Sequence, residues 1–321
     1  MRRLLSRMFI FTFAMEVLGT LLLALHWVPQ MGWGKGFYYS FFHAVSAFNN
    51  GGFSLWPQSL MHEVDSAIVN VAITALFLSG GIGFVVVADM VDKRRFSEYT
   101  LHTKLTLLGT VALSLIGMLV LFVLEYGNPA TLGGLPDLSH KLWAAWFASV
   151  TPRSGGFNTI DIAALTDASA LFMMVLMFIG SGAGSTGGGI KVTTFIVMVL
   201  TVRAFLLGQE RPVIFGRSLD YGIIIRALTV SIMSLFAVVV GTFILTITES
   251  GNFIDIAFEV TSAAATVGLS RGLTSELTPV GQAVAIILMT LGRAGPLALA
   301  FMLVHRYASR IQYPSGQVNL G

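Results

Sequence analysis

Six glycines fall between Gly180 and Gly189, in the run Ile179-Gly-Ser-Gly-Ala-Gly-Ser-Thr-Gly-Gly-Gly-Ile-Lys-Val-Thr-Thr-Phe195. Apolar residues flank it on both sides, at 170–178 and 196–200. Each glycine costs a helix about 1 kcal/mol relative to alanine, so an otherwise continuous apolar helix must break here. The chemistry on offer is backbone chemistry: carbonyls and amides freed from the helix, which lipid cannot satisfy. At membrane depth such backbone survives only inside protein or along a water-filled path, which points to passage of a polar solute. A phosphate loop of the GxxxxGK[ST] kind fits poorly, because Ile190 separates the last glycine from Lys191 and no strand pattern precedes it. Close helix packing is the simpler alternative, although packing motifs need one small residue per turn rather than a run of them.

Three shorter glycine turns stand elsewhere: Phe48-Asn-Asn-Gly-Gly-Phe53, Thr151-Pro-Arg-Ser-Gly-Gly-Phe157 and Thr266-Val-Gly-Leu-Ser270. Each ends an apolar segment (35–47, 140–150 and 253–265) shorter than the roughly 20 residues a spanning helix needs. Full-length apolar runs surround them at 8–28 and 69–90, 105–124 and 171–200, and 223–247 and 283–304. The order span, half-helix, glycine turn, span therefore occurs three times, and Gly52, Gly156 and Gly268 are 104 and 112 residues apart (156−52 and 268−156). The expected fold is an all-α integral membrane protein of three repeated units with six full spans. The units are 1–95, 96–215 with the broken span, and 216–305, followed by a tail at 306–321.

Composition agrees. The chain is 55% hydrophobic and 11% charged, with a mean hydropathy of +0.80, against about 25% charged residues in soluble domains. It has no cysteine, so disulfides and thiolate metal sites are excluded. Its six histidines lack metal-ligand spacing, which speaks against a membrane enzyme. No basic run with interleaved aromatics suggests nucleic-acid binding. Arg2, Arg3 and Arg7 precede an apolar run too long for a signal peptide, with no small-residue cleavage site after it. Lys93, Arg94, Arg95, Lys104, Arg203, Arg211, Arg217, Arg226, Arg306 and Arg310 fall on the same side as those N-terminal arginines. The positive-inside rule then places both termini in the cytoplasm and the glycine turns toward the outside.

A half-helix that enters the membrane and ends in a glycine turn is how ion selectivity filters are built, with carbonyls replacing the water around a cation. The partly negative helix C-terminus points at the ion path. Asn49 and Asn50 serve either as local polar partners of that path or as caps for the turn backbone. Arg153 would repel a cation from inside the path, so its side chain is expected to turn outward, toward an acidic partner such as Asp161.

The stretches Ser46–Phe53, Thr151–Asn158 and Ala265–Leu269, with Gly182–Thr194, Gly292-Arg-Ala-Gly-Pro296 and Tyr313-Pro-Ser-Gly316, resemble the Trk/Ktr/HKT cation transporters, most nearly the bacterial Ktr-type translocating subunits. The resemblance implies potassium uptake across the bacterial cytoplasmic membrane, with potassium the substrate at the filter carbonyls and no cofactor bound by this chain. It assigns the filter to Asn50, Gly51 and Gly52, to Ser154, Gly155 and Gly156, and to Thr266, Val267 and Gly268. It makes the broken span an intramembrane gating loop carrying Gly182, Gly184, Ser185, Thr186, Gly187, Gly188, Gly189 and Lys191, with Arg293 as a positive barrier from the last span. Surface snorkelling is the other reading of Arg293. The implied partners are a second copy in a homodimer and a cytosolic regulatory ring that binds the nucleotide. The family pore has four units and this chain presents three, so the first is expected to be lacking. Two rival readings remain. One is a sodium- or proton-coupled secondary transporter, for which Glu16 and Glu259 would be the intramembrane carboxylates. The other is a non-conducting fragment.

Overall fold

The computed structural model describes residues 2–209 and 211–295. Its helices follow the expected order: α1 (Arg2–Met31), α2 (Trp33–Phe48), α3 (Ala67–Gly81), α4 (Phe84–Asp92), α5 (Leu101–Glu125), α6 (Leu138–Val150), α7 (Asp167–Ile179), α8 (Val192–Leu206), α9 (Tyr221–Thr248), α10 (Phe253–Ala264) and α11 (Pro279–Ala294). A small hairpin, β1 (Val213–Ile214) and β2 (Arg217–Ser218), joins α8 to α9. Phe215 and Gly216 at its tip both have positive φ, the geometry a two-residue hairpin turn demands.

Among the described residues three helices are long and apolar enough to cross a membrane: Ser6–Met31, Leu101–Glu125 and Tyr221–Thr248. A fourth is added if α3 and α4 count as one span bent by 94°. The bend falls at Gly81-Ile-Gly83, where Gly83 has φ 94°, so the run at 69–90 is two helices rather than one rod. The broken span is also two helices, α7 and α8, separated by residues 180–191. Residues 296–304 of the last expected span and the tail 306–321 lie outside the described residues.

Local chemistry sets these boundaries. Ser66, Thr166 and Thr278 each cap the helix that follows a glycine turn, accepting from Val69, Ser169 and Gly281 amides. A carboxylate at the far end of the preceding long helix clamps two of these caps. Glu125 accepts from the Thr166 amide at 3.0 Å and hydroxyl at 2.7 Å. Glu249 does the same for Thr278, at 2.9 and 2.6 Å. His26 on α1 stands 3.4 Å from the Ser66 hydroxyl in the corresponding place.

The short helices α2, α6 and α10 are wedged between these long ones. Trp27, Phe48, Phe77, Phe147 and Phe157 form one core behind α2, and Leu121, Ala148, Met173, Met177 and Phe258 another between α6 and α10. Phe9, Phe13, Leu119 and Phe236 are exposed on the long helices, as expected of side chains that face lipid tails.

Candidate ion filter and gate

The three glycine turns share one backbone form. Asn50, Ser154 and Thr266 have φ of 54°, 77° and 52°, and Gly52, Gly156 and Gly268, two residues later, have 69°, 75° and 88°. The residues between them, Gly51, Gly155 and Val267, are not left-handed. Alternating left- and right-handed residues turn successive peptide units the same way, so their carbonyls line one side of the strand. Holding a non-glycine residue in this region costs about 1–2 kcal/mol, a strain that three equivalent positions share.

Hydrogen bonds behind each turn fix which side that is. The amides of Gly51, Gly155 and Val267 donate into the ends of α2, α6 and α10, to the carbonyls of Ser46 (2.8 Å), Thr151 (2.8 Å) and Ser262 (2.9 Å). The Ser46 and Thr151 hydroxyls take the carbonyls just past the glycines, those of Phe53 (2.9 Å) and Phe157 (2.5 Å). From the left-handed residue to the glycine the carbonyls are left free, except that of Thr266, which accepts from the Ser154 hydroxyl at 3.0 Å, and the free ones can replace water around a cation.

The turns converge. A Cβ built on Gly52 would fall 2.7 Å from Gly156 Cα, and one on Gly156 only 2.8 Å from the Val267 carbonyl. A side chain on either glycine would fill the space between strands. Gly268 meets nothing on its open side. It lines, with Asn50, Gly51, Ser262 and Ala285, a cleft of about 770 Å³ between the α2 and α10–α11 units.

The glycine-rich loop lies against the inner ends of all three turns. Thr186 donates through its hydroxyl to Asn50 Oδ1 at 2.8 Å. The Gly188 amide donates to Ser154 Oγ at 3.3 Å, and Ser154 Oγ in turn donates to the Thr266 carbonyl at 3.0 Å. The loop closes on itself through Ser185 Oγ to the Gly182 carbonyl (2.6 Å), and through the close passage of Gly189 against Gly180. Lys191 Nζ reaches back to the Gly187 carbonyl at 2.5 Å, and Arg293 donates to the carbonyl of Thr186. Every loop residue named from the sequence is therefore in one assembly with Arg293. Among the described residues no carboxylate pairs with Lys191 or Arg293, so both cations are held on loop carbonyls.

Two points differ from the expectations. Arg153 does not turn out to Asp161, whose carboxylate instead accepts from the Ala163 amide. It is buried (4% exposed) behind the filter and donates to the Thr110 carbonyl and the Ser114 hydroxyl of α5. The residue three before the glycine points back at its own unit's first long helix: Asn49 likewise donates to Glu16 of α1 at 2.9 Å. Arginine is long enough to reach acceptor oxygens there without entering the path. The second difference is an omission. Gly80, Gly81 and Gly83 of the bent span dock the loop, since Gly182 donates to the Gly81 carbonyl (2.7 Å), Thr186 to Gly80 (3.3 Å), and Phe84 to Gly184 (3.2 Å). Three glycines in four residues of an apolar run were the available signal.

With this geometry in view, comparison with known proteins is decisive. The sequence matches the TrkH family, described as cation transport protein, over residues 1–312. The chain belongs to that family. It is 50% identical over 314 residues to the Ktr system potassium uptake protein B of Bacillus subtilis, covering 98% of this chain and 70% of that one. It is 37% identical to the potassium/sodium uptake protein NtpJ of Enterococcus hirae, covering 97% of this chain and 70% of that one. The crystal structure of the potassium transporter TrkH from Vibrio parahaemolyticus superposes with a TM-score of 0.77 at 18% identity, covering 93% of this chain and 64% of that one. The last likeness establishes the fold.

Proposed function

We propose that this TrkH-family chain carries potassium uptake across the bacterial cytoplasmic membrane, down the electrochemical gradient, through the carbonyls of 50–52, 154–156 and 266–268. The observation that carries this is the shared backbone of the three turns, with their amides tied back into α2, α6 and α10 and their carbonyls free apart from that of Thr266. The loop at 182–191, held beneath the turns by Thr186, Gly188, Lys191 and Arg293, is the gate. Six spans follow if α3–α4 and α7–α8 each cross as a bent pair and the last apolar run, 283–304, also crosses. Both termini are then cytoplasmic. A fourth unit of the same construction would complete the ring in the cleft between Gly51 and Gly268. The names of the Ktr relatives support a multi-component system, here a homodimer on a cytosolic nucleotide-binding ring.

Rubidium uptake, in cells stripped of their own potassium uptake systems, tests the reading. The chain is expressed alone, with a first pore unit joined upstream, and each with Gly156→Ser. Uptake in either form that the serine variant weakens at least tenfold is expected, because the added side chain would fill the contact with Gly52. Uptake in neither form, with both present in the membrane, overturns it.

A further inference from the structure

Two of the three filter turns carry a second device, a bond between the turn and its own short helix. Nine residues before the filter glycine stand His43 on α2 (52−43), Phe147 on α6 (156−147) and Glu259 on α10 (268−259). Two residues after it stand Ser54, Asn158 and Ser270. In the first and last units these positions are joined. Ser54 Oγ lies 3.1 Å from His43 Nε2, and Ser270 Oγ donates to Glu259 Oε2 at 2.7 Å. The serine closes the same small loop each time, accepting the amide two residues on: Trp56 at 3.1 Å and Gly272 at 3.0 Å.

The direction of the His43 bond follows from its other nitrogen. Nδ1 faces the Tyr39 carbonyl at 2.8 Å, which only accepts, so Nδ1 carries the proton and Nε2 accepts from the Ser54 hydroxyl. Both acceptors are fixed in place. His43 is fully buried and packed against the rings of Trp27, Trp56 and Phe157. Glu259 is 8% exposed, and its other oxygen accepts from the Thr274 hydroxyl at 2.5 Å. Burying a carboxylate or an imidazole costs free energy that a purely space-filling role does not require, since Phe147 fills the equivalent place in the middle unit. There the outer end is held differently. Asn158 Nδ2 donates to the Ile160 carbonyl, and its backbone pairs with Ser59 and Leu60 of the first unit's outer loop.

We propose that His43 and Glu259 are positioning residues of the filter. Each ties the hydroxyl two residues past the filter glycine to its own short helix, and so sets how far apart the outer carbonyls stand. Glycine-rich strands resist spreading poorly by themselves. A filter that separates ions of different radius needs its width held from behind, and these two bonds act two residues beyond Gly52 and Gly268. The middle strand is braced on the first through Asn158, so two tethers serve three turns. The proposal rests on the filter reading given above.

The experiment uses the intact protein in its membrane and measures rubidium uptake with its inhibition by sodium, for Ser54→Ala, Ser270→Ala, His43→Phe, Glu259→Ala and Glu259→Gln. Loss of a buried hydrogen bond of this kind predicts a roughly three- to tenfold loss of rubidium preference over sodium, at unchanged protein level. Glu259→Gln, which keeps an acceptor oxygen, is expected to stay close to wild type. The double variant His43→Phe with Ser54→Ala should be no worse than the poorer single variant, because both remove one bond. If uptake is present and Gly156→Ser abolishes its selectivity, yet both serine variants discriminate like wild type, the tethers are overturned and the filter reading survives. Additive effects of His43→Phe and Ser54→Ala would likewise overturn the tether. If neither the chain alone nor the chain with a first pore unit joined upstream takes up rubidium, it is the filter reading that has failed.

Discussion

Thr186 sits where the gate and the filter meet. Its hydroxyl donates to Asn50 beside the first turn, its amide to Gly80 of the bent span, and its carbonyl accepts from Arg293. One residue thus reports on three elements that must separate if the loop is to move. Thr186→Val removes the hydroxyl and keeps the shape. The loss of one such bond is about 1 kcal/mol, so the loop-open population, and with it rubidium uptake at fixed protein level, should rise about fivefold. Unchanged or lower uptake would show that this bond does not hold the gate. Arg153 gives the complementary lesson. Its type and place beside a filter suggested an outward turn, but the reach of its side chain and the acceptor oxygens on α5 decide that it goes behind.

At the scale of elements, the clamp of Glu249 on the Thr278 cap fixes the start of α11, the helix that carries Arg293. Hydrogen bonds from the Thr278 amide, then its hydroxyl, hold the Glu249 carboxyl below the ordinary carboxylate range. A carboxylate with a depressed pKa stabilises the fold above its unfolded-state pKa, and that contribution disappears as pH falls through the folded-state value. Thermal unfolding in detergent should therefore separate wild type from Glu249→Gln near neutral pH, with the variant less stable by about 1 kcal/mol. The two should converge in acid. Curves that stay parallel at all pH values would deny the clamp. The short helices were legible as elements because 11 to 13 apolar residues followed by a glycine turn cannot cross a bilayer. The bend between α3 and α4 was not drawn from the same kind of signal, because an apolar run containing glycines also reads as a plain span with close neighbours.

At the scale of the whole molecule, charge placement predicts sidedness, and the chain offers a clean background for testing it because it contains no cysteine. Ser97, in the basic loop after α4, and Ser275, in the loop after the last filter turn, are both exposed. A membrane-impermeant thiol reagent should label Ser275→Cys in intact cells, and Ser97→Cys only after the membrane is opened. The reverse pattern would invert the topology.

The sequence alone determined that the chain lives in a membrane, where its half-helices end, and that three turns repeat one chemistry, since apolar run lengths and glycine spacing are local properties. It also carried the family, through motifs written in consecutive residues. The tertiary structure decided what touches what. Only folding brings Gly52 against Gly156, sets the gate loop on Gly80 and Gly81, and joins His43 to Ser54 and Glu259 to Ser270. The first two depend on how helices distant in sequence pack, and a contact between residues a hundred positions apart leaves no periodic mark on either stretch. The last two are only 11 residues apart, but need the turn to fold back on its own short helix.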